Sequence, residues 1–187
     1  RSFFSHTFQD DVAVIEGNRG LYDCINIDGK TSTAELAKLL GLPVILCLDA
    51  TKTTRTMAAV VSGCAAFDSR VRIGGVILNR VAGTRHETIL RQSIEEHCRI
   101  PVLGAVPRLG RQVFPERHMG LVPTHEHQWA RDAIDAAADV AGDYLDLKAI
   151  LKLADSIGME TLESLEPPGL ATGSAASGLG SPVEKEI

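Results

Sequence analysis

The chain has 187 residues, of which 44% are hydrophobic, and its formal net charge at pH 7 is -5. This length can bury the core of one domain, whereas two complete domains would both be small. The acidic balance, and the lack of any apolar run near the roughly 18 residues of a membrane span, argue against nucleic-acid and membrane partners. The four cysteines are widely spaced and form no C-x-x-C pair, which favours a reducing cytoplasm.

The first predicted element is a short apolar strand at residues 12–15, which runs directly into Glu16 and a glycine-punctuated loop. In an open parallel sheet, ligands bind beyond the carboxyl ends of the strands, so an acid at that point faces the ligand. Glu16 is therefore a candidate for the magnesium or phosphate side of a site. The alternative is an acid that ends the strand and caps the next turn.

Three further apolar runs follow at residues 43–49, 75–80 and 101–108. None shows polar alternation, which is typical of strands covered on both faces. Cys47 lies in the first of these runs and Cys64 in a later apolar helix pattern, so both are predicted to be small buried thiols.

Apolar residues at helical spacing predict helices at residues 32–40, 53–67 and 84–97. The repeated order of strand and helix predicts an α/β fold, with a doubly wound, mostly parallel sheet and right-handed crossovers. Such a sheet brings the carboxyl ends of its strands to one edge. The polar residues at that edge would be Glu16, Asp49, Asn79 and Arg108.

The C-terminal part begins with an alanine-rich helix pattern at residues 130–153, whose apolar stripe would pack on the sheet. The stripe consists of Ile134, Ala138, Ala141, Leu145 and Leu151. Residues 167–182 are rich in Gly, Ser and Ala, which predicts a flexible linker or a disordered tail. We therefore place one domain at residues 1–160 and a linker or tail at residues 161–187.

Two other motifs resemble known sites only in part. Residues 24–31 read C-I-N-I-D-G-K-T, a near miss to the phosphate-loop pattern. A phosphate loop joins a strand directly to a helix, so we favour a turn at residues 29–31 that leads to a helix N-cap near Ser32. The H-E-H sequence at residues 125–127 lacks a third metal ligand at a suitable spacing, which favours a surface loop.

Five motifs follow one another in the chain, at residues 16–23, 32–40, 75–80, 101–104 and 116–121. In sequence and order they resemble the cobyrinic acid a,c-diamide synthase family. The Gly-Leu-Tyr-Asp continuation favours this family over the related cobyric acid synthases. The family joins an ATP-binding domain, similar to dethiobiotin synthetase and distantly to MinD-type ATPases, to a glutaminase domain. The resemblance implies a P-loop NTPase-like, partial ATP-dependent synthetase domain at residues 1–160 and a linker toward a glutaminase domain.

The resemblance also implies a carbon–nitrogen ligase with ATP and Mg2+ as cofactors. Such an enzyme amidates the a and c side-chain carboxylates of cobyrinic acid in cobalamin biosynthesis, through an acyl phosphate that ammonia from glutamine attacks. Phosphoryl transfer of this kind depends on positioning and on charge neutralisation. The implied partners are a corrinoid or related tetrapyrrole substrate and the glutaminase domain of the parent chain.

The motif positions assign roles to residues. Glu16 would hold magnesium, and Asp23 would bind a second metal or orient the substrate, which makes both candidate catalytic residues. Asn79 matches the strand-end amide that hydrogen-bonds adenine in the related synthetases. Pro107 and Arg108 would flank the nucleobase, although Arg108 also fits a solvated turn. Substrate contacts are expected from the loop residues Arg19, Gly20, Leu21 and Tyr22.

The chain departs from the family pattern at two points. Cys24 stands where the family usually has glycine, so the loop would differ if that position needs a positive φ. The family's phosphate loop precedes every motif present, so we expect the first phosphate-loop unit to be missing and this fragment to be inactive alone. In the motif at residues 116–121, Arg117 and His118 would face the nucleotide or the substrate carboxylates, or they would support a helix entry.

Two other functions stay open on the sequence. A nickel-sirohydrochlorin a,c-diamide synthase shares the motifs and differs in its macrocycle. A non-catalytic, MinD-like nucleotide-binding regulatory module shares the fold, and a membrane-targeting helix or a basic patch would favour it. The oligomeric state leaves no trace in the sequence, and a homodimer is one option.

Overall fold

The computed structural model of the protein describes residues 12–17, 19–109 and 127–156. Within these ranges three parallel strands form one sheet in the order β1-β2-β3. The strands are β1 at Val44–Asp49, β2 at Ile73–Val81 and β3 at Val102–Pro107. The helices are α1 at Thr33–Leu40, α2 at Thr56–Phe67, α3 at Thr84–Cys98, α4 at His127–Tyr144 and α5 at Leu147–Asp155. The predicted α/β fold with a parallel sheet is confirmed, and α1, α2 and α3 lie where helices were predicted.

The core forms between one face of the sheet and the helices α2 and α3. Leu78 on β2, Val61 on α2, and Leu90 and Ile94 on α3 are all fully buried. Full burial of one such side chain contributes about 1.5–3 kcal/mol. These contacts fix α2 and α3 along the sheet, and they thereby set the position of the loops that precede both helices.

Residues 127–156 contain two helices, α4 and α5, so the prediction of one helix at residues 130–153 is wrong. Leu145 makes an antiparallel bridge with Gly104, and the Asp146 N–H donates to the Leu103 carbonyl at 2.7 Å. The Asp146 side chain then caps α5 by accepting from the Ala149 N–H at 3.0 Å. The helix pattern is interrupted because the backbone of this segment bonds to β3 instead of continuing its own helical ladder.

The predicted apolar stripe packs on the sheet only in part, at Leu145. Ile134 is 64% exposed and Leu151 is 48% exposed, whereas Ala133 is 7% exposed. Ala138 is exposed as well. Because α4 carries alanine on several faces, the contact between Leu145 and β3 decides which face is buried.

Residues 12–17 form no strand, so the predicted first strand at residues 12–15 is wrong. The side chains are exposed, Val14 at 89% and Val12 at 49%. A short apolar run becomes a strand only where a neighbouring strand satisfies its backbone groups. Among the described residues β1 pairs with β2 alone, so residues 12–15 have no strand partner in the described sheet.

The cysteines of the sheet and helix layers differ in exposure. Cys64 is half-buried, whereas Cys47 is exposed, so the prediction of a buried thiol is wrong for Cys47. Cys47 lies on β1, at the edge of the described sheet, on the face opposite the core residue Leu46. None of the described helices is both long and apolar enough to cross a bilayer.

Three predictions fall outside the residues that the structure describes. They concern the linker or tail at residues 161–187, the motif at residues 116–121, and the side chains of the H-E-H sequence at residues 125–127. These stay predictions, as does the division of the chain at residue 160.

Candidate functional site

The carboxyl ends of the three strands lie along one side of the sheet, which we call the carboxyl edge. Asp49 at the end of β1 pairs with Asn79 on β2, and Val81 pairs with Pro107 at the end of β3. Arg108 follows Pro107 directly, and Asp49, Asn79 and Arg108 are exposed. Three of the four predicted strand-end residues therefore share one edge.

Arg80 links Asp49 to Asn79. Its guanidinium donates to Asp49 Oδ2 at 3.0 Å, and its backbone N–H donates to Asn79 Oδ1 at 2.8 Å. Arg80 has a φ of 60°, in the left-handed region that is uncommon for residues other than glycine. Hydrogen bonding from Thr51, and then the Arg80 guanidinium, hold the pKa of Asp49 below its ordinary value. A carboxylate, a guanidinium and a primary amide thus form one polar group at the carboxyl edge.

A cavity of about 460 Å³ opens between the residues that follow β2 and the first turn of α3. Its lining includes Thr54, Ala82, Gly83, Arg85 and His86. The volume falls in the range of small-ligand sites, about 300–1,000 Å³. Ala82 directly follows β2, so the cavity offers room for a ligand near the end of the strand that carries Asn79.

Glu16 does not end a strand, because residues 12–17 form none. The prediction that Glu16 ends a strand of the same sheet as Asn79 is therefore wrong for the described sheet. The neighbouring Gly17 lies close to the start of α1, since a Cβ built on it would be 2.8 Å from the Thr33 side chain. The Glu16 carboxylate is exposed, and its predicted role toward magnesium stays a prediction.

The loop that carries Leu21 and Tyr22 is anchored to α1 and α2. The Leu21 carbonyl accepts from the Ala34 N–H at 2.9 Å, and the Leu21 side chain packs against the core. The Tyr22 hydroxyl donates to the Cys64 carbonyl at 2.6 Å, and its ring centroid lies 4.5 Å from that of Phe67. Burial is the main cause that raises the pKa of Tyr22. Both side chains hold the loop in place, and their role toward a substrate stays a prediction.

Asp23 folds back over the start of the same loop. Its N–H donates to the Gly20 carbonyl at 3.0 Å, and a Cβ on Gly20 would lie 2.5 Å from Asp23 Oδ2. Asp23 and Arg19 are exposed. Cys24 is outside the left-handed region, so this loop conformation does not need a glycine there. The roles of Arg19, Gly20 and Asp23 stay predictions.

The G-K-T sequence at residues 29–31 forms a turn, as predicted. Gly29 has a φ of 74°, and its carbonyl accepts from the Ser32 N–H at 3.0 Å. Ser32 then caps α1 by accepting from the Glu35 N–H at 3.3 Å. Residues 12–17 and 19–32 contain no strand, so the described segment lacks the strand–loop–helix geometry of a phosphate loop.

Magnesium is commonly bound by one or two carboxylates together with phosphate oxygens and water. Within the described part of the chain, no group of three or more His, Cys, Asp or Glu residues is placed to hold a metal ion. Glu16, Asp23 and Asp49 each offer an exposed carboxylate. A single exposed carboxylate of this kind fits a magnesium ion that it shares with a bound phosphate, and it does not fit an all-protein cage.

Two residues of the carboxyl edge were not predicted from the sequence. Arg80 was noted only as part of a motif, and its contact with Asp49 depends on its left-handed backbone. His86 contacts the Thr53 carbonyl, which lies 33 residues earlier in the chain. Only the position of Arg80 directly after a strand-end amide is a signal that could have been used.

Comparisons with known proteins agree with the predicted resemblance. The sequence profile of the AAA domain family matches residues 4–115. A cobyrinate a,c-diamide synthase of Magnetococcus marinus is 42% identical over 91% of this chain and 36% of the relative. Hydrogenobyrinate a,c-diamide synthases of Streptomyces coelicolor and Brucella anthropi are 44% and 46% identical, over 86% and 73% of this chain and 35% and 31% of the relatives.

The matched region is one part of these relatives. The chain spans about a third of the length of the curated relatives that it matches. No solved structure matches the chain.

Proposed function

This chain belongs to the AAA domain family, and we propose that it is the nucleotide-binding part of an a,c-diamide synthase. The observation that carries the proposal is the 42–46% identity to cobyrinate and hydrogenobyrinate a,c-diamide synthases over 73–91% of the chain. The polar group at the carboxyl edge supports it, because open α/β sheets bind their ligands at that edge.

The proposed reaction converts the a and c side-chain carboxylates of a corrinoid precursor into amides. A carboxylate oxygen attacks the γ-phosphorus of ATP, which gives an acyl phosphate and ADP. Ammonia released from glutamine then attacks the acyl carbon, and phosphate leaves. The protein would be a carbon–nitrogen ligase of the cytoplasm, with a glutaminase domain of the same gene product as the source of ammonia.

The residues of the carboxyl edge would bind the nucleotide. The Asn79 amide can both donate to and accept from a base edge, and it is held in one orientation by the Arg80 N–H. Pro107 and Arg108, at the end of the neighbouring strand, would flank the base. Asp49 keeps the Arg80 guanidinium beside this position.

The loops near α1 would face the phosphates and the corrinoid. Glu16 and Asp23 would hold Mg2+, which when bound neutralises charge on the phosphates. The exposed Arg19, together with Gly20, Leu21 and Tyr22 of the same loop, would contact the macrocycle. Anchoring of this loop to α1 and α2 keeps it in one place for substrate binding.

The test incubates the full-length gene product with ATP, Mg2+, glutamine and either cobyrinate or hydrogenobyrinate. Mass spectrometry counts the amides formed, and phosphate release is measured in parallel. We expect two amides on each corrinoid and no amide without ATP. Nickel sirohydrochlorin in place of the corrinoid tests the alternative substrate. ATP binding without amidation of any macrocycle would overturn the enzyme proposal and support a regulatory module.

A further inference from the structure

We propose that His86 is a positioning residue that holds the turn after β1 against the loop after β2 at the carboxyl edge. His86 lies in the first turn of α3 and is half-buried. The inference rests on the proposed function, because the group that it positions is the nucleobase ligand Asn79.

His86 closes a ring of hydrogen bonds that begins and ends in the region of β2. The Asn79 carbonyl accepts from the Ala50 N–H at 2.8 Å, and the Ala50 carbonyl accepts from the Thr53 N–H at 3.2 Å. The Thr53 carbonyl lies 2.5 Å from His86 Nε2, and His86 Nδ1 accepts from the Ala82 N–H at 3.0 Å. Ala82 directly follows β2, so the ring returns to the strand that carries Asn79.

The two contacts select one tautomer of the imidazole. A backbone N–H only donates, so Nδ1 of His86 must accept and carry no proton. A carbonyl only accepts, so Nε2 must carry the proton and donate it to the Thr53 carbonyl. The neutral tautomer with the proton on Nε2 is therefore the form that closes the ring. A side chain that lacks the acceptor loses the contact with Ala82, and one that lacks the donor loses the contact with Thr53.

The ring of hydrogen bonds encloses Arg80, the residue of the carboxyl edge with a left-handed backbone. Arg80 lies between Asn79 and Ala82, and a left-handed backbone at such a residue persists only where its surroundings hold it. Loss of the His86 contacts lets the end of β2 relax, which moves the Asn79 amide and the pairing of Arg80 with Asp49. The expected effect is on nucleotide affinity, because His86 itself reaches no reacting group.

Three substitutions separate the two hydrogen bonds. His86→Phe keeps an aromatic side chain and removes both hydrogen bonds. His86→Asn retains an acceptor near the position of Nδ1, and His86→Gln retains a donor near the position of Nε2. His97→Phe is the matched control, because His97 is exposed at the other end of the same helix.

The KM for ATP and kcat are measured for each variant of the full-length gene product in the amidation assay, with thermal unfolding as a check of folding. We expect His86→Phe to raise the KM for ATP about tenfold with kcat changed less than about twofold. The Asn and Gln variants should fall between His86→Phe and the unsubstituted protein. His97→Phe should match the unsubstituted protein in both constants.

Two results would overturn the inference. One is a KM for ATP that is the same in His86→Phe and in the unsubstituted protein. If the unsubstituted protein amidates its substrate, this result overturns the role of His86 and does not affect the proposed function. The other is a 15N NMR spectrum of the ligand-free protein that shows the proton of His86 on Nδ1. If the unsubstituted protein binds ATP but forms no amide, the proposed function fails, and ATP dissociation constants of the same variants then decide the role of His86.

Discussion

Asn79 shows how one backbone contact can prepare a side chain for a ligand. Its Oδ1 accepts from the Arg80 N–H at 2.8 Å, which fixes the plane of the amide at the exposed end of β2. A side chain that is already ordered loses less conformational entropy when a ligand binds. An oriented amide is therefore better suited to a base edge than a freely rotating one.

We expect two substitutions of Asn79 to weaken ATP binding to different extents. Asn79→Ala removes the donor and the acceptor, and we expect the KM for ATP to rise about tenfold with little change in kcat. Asn79→Asp should raise it further, because a carboxylate lacks the donor and adds negative charge next to Asp49. Steady-state kinetics of the full-length gene product measure both effects. Asn26→Ala, in an exposed turn, is the control, and equal KM values for Asn79→Ala and the unsubstituted protein would remove Asn79 from the site.

Sequence reasoning located the residues whose position depends on a strand end. Asn79 and Arg108 follow apolar runs that became β2 and β3, so their shared edge was predictable. The strand predicted to end at Glu16 was wrong, because a strand at residues 12–15 needs a partner strand that a local pattern does not reveal. His86 was not found, because its contact with Thr53 depends on how two distant loops meet.

An ion-pair cluster joins α1 to the end of α2. Lys38 on α1 lies 2.6 Å from both Glu35 and Asp68, and Asp68 also pairs with Arg70 at 2.9 Å. The side chains of Lys38 and Asp68 are only 12% and 18% exposed. The Arg70 guanidinium first, and then the Lys38 ammonium, hold the pKa of Asp68 well below its ordinary value.

The Asp68 cluster predicts a loss of stability in acid. A carboxyl group with a lowered pKa in the folded state adds stability above its unfolded pKa, about 3.9, and this stability is lost as the pH falls toward the folded value. Asp68→Asn should therefore lower Tm by several degrees at pH 7 and flatten the decline of Tm below about pH 4. Thermal unfolding across that range measures the difference. Asp28→Asn, in an exposed ion pair, corrects for the lost charge, and parallel curves for Asp68→Asn and the unsubstituted protein would contradict the prediction.

The break between α4 and α5 depends on the lack of a side chain at Gly104. A Cβ there would meet Leu145 and lie 2.9 Å from the Tyr144 carbonyl, which cannot move without moving the helix end. We expect Gly104→Ala to lower the free energy of unfolding by about 1–3 kcal/mol. Gly142→Ala is the control, because a Cβ there meets nothing within 4 Å, and alanine in a helix interior should add about 0.5–1 kcal/mol. Urea unfolding measures both, and a neutral Gly104→Ala would show that the approach is not tight.

The same helices show which element boundaries a sequence reveals. The start of α1 was predictable because Ser32 and Glu35 form a local capping pattern. The end of α4 was not, because Leu145 leaves the helix to bond with β3. Local signals predict the first kind of boundary, and only the packed sheet determines the second.

The two outer strands of the described sheet, β1 and β3, differ in whether other residues hydrogen-bond to their outer edges. At β3, the Val102 N–H donates to Glu95 Oε1 at 3.2 Å, and the Val102 carbonyl accepts from Arg91 at 2.5 Å. The bridge between Gly104 and Leu145 covers the next part of this strand. At β1, no described residue pairs with the outer edge, and the strand has no charge before Asp49. An open, uncharged edge strand of this kind is prone to pair with another chain.

Because no described residue pairs with the outer edge of β1, we expect concentration-dependent self-association of the 187-residue chain. Cys47 lies in the middle of β1 and is exposed, so Cys47→Lys adds a charge there without disturbing the core. Two copies that meet at β1 would bring these lysines together, and we expect association to weaken at least about tenfold. Analytical ultracentrifugation over a range of concentrations measures the association.

Ala66→Lys is the control, because it adds the same charge to an exposed position of α2, away from the edge. Sedimentation of the unsubstituted chain that is independent of concentration would contradict the prediction, and equal weakening by both lysines would assign the effect to net charge.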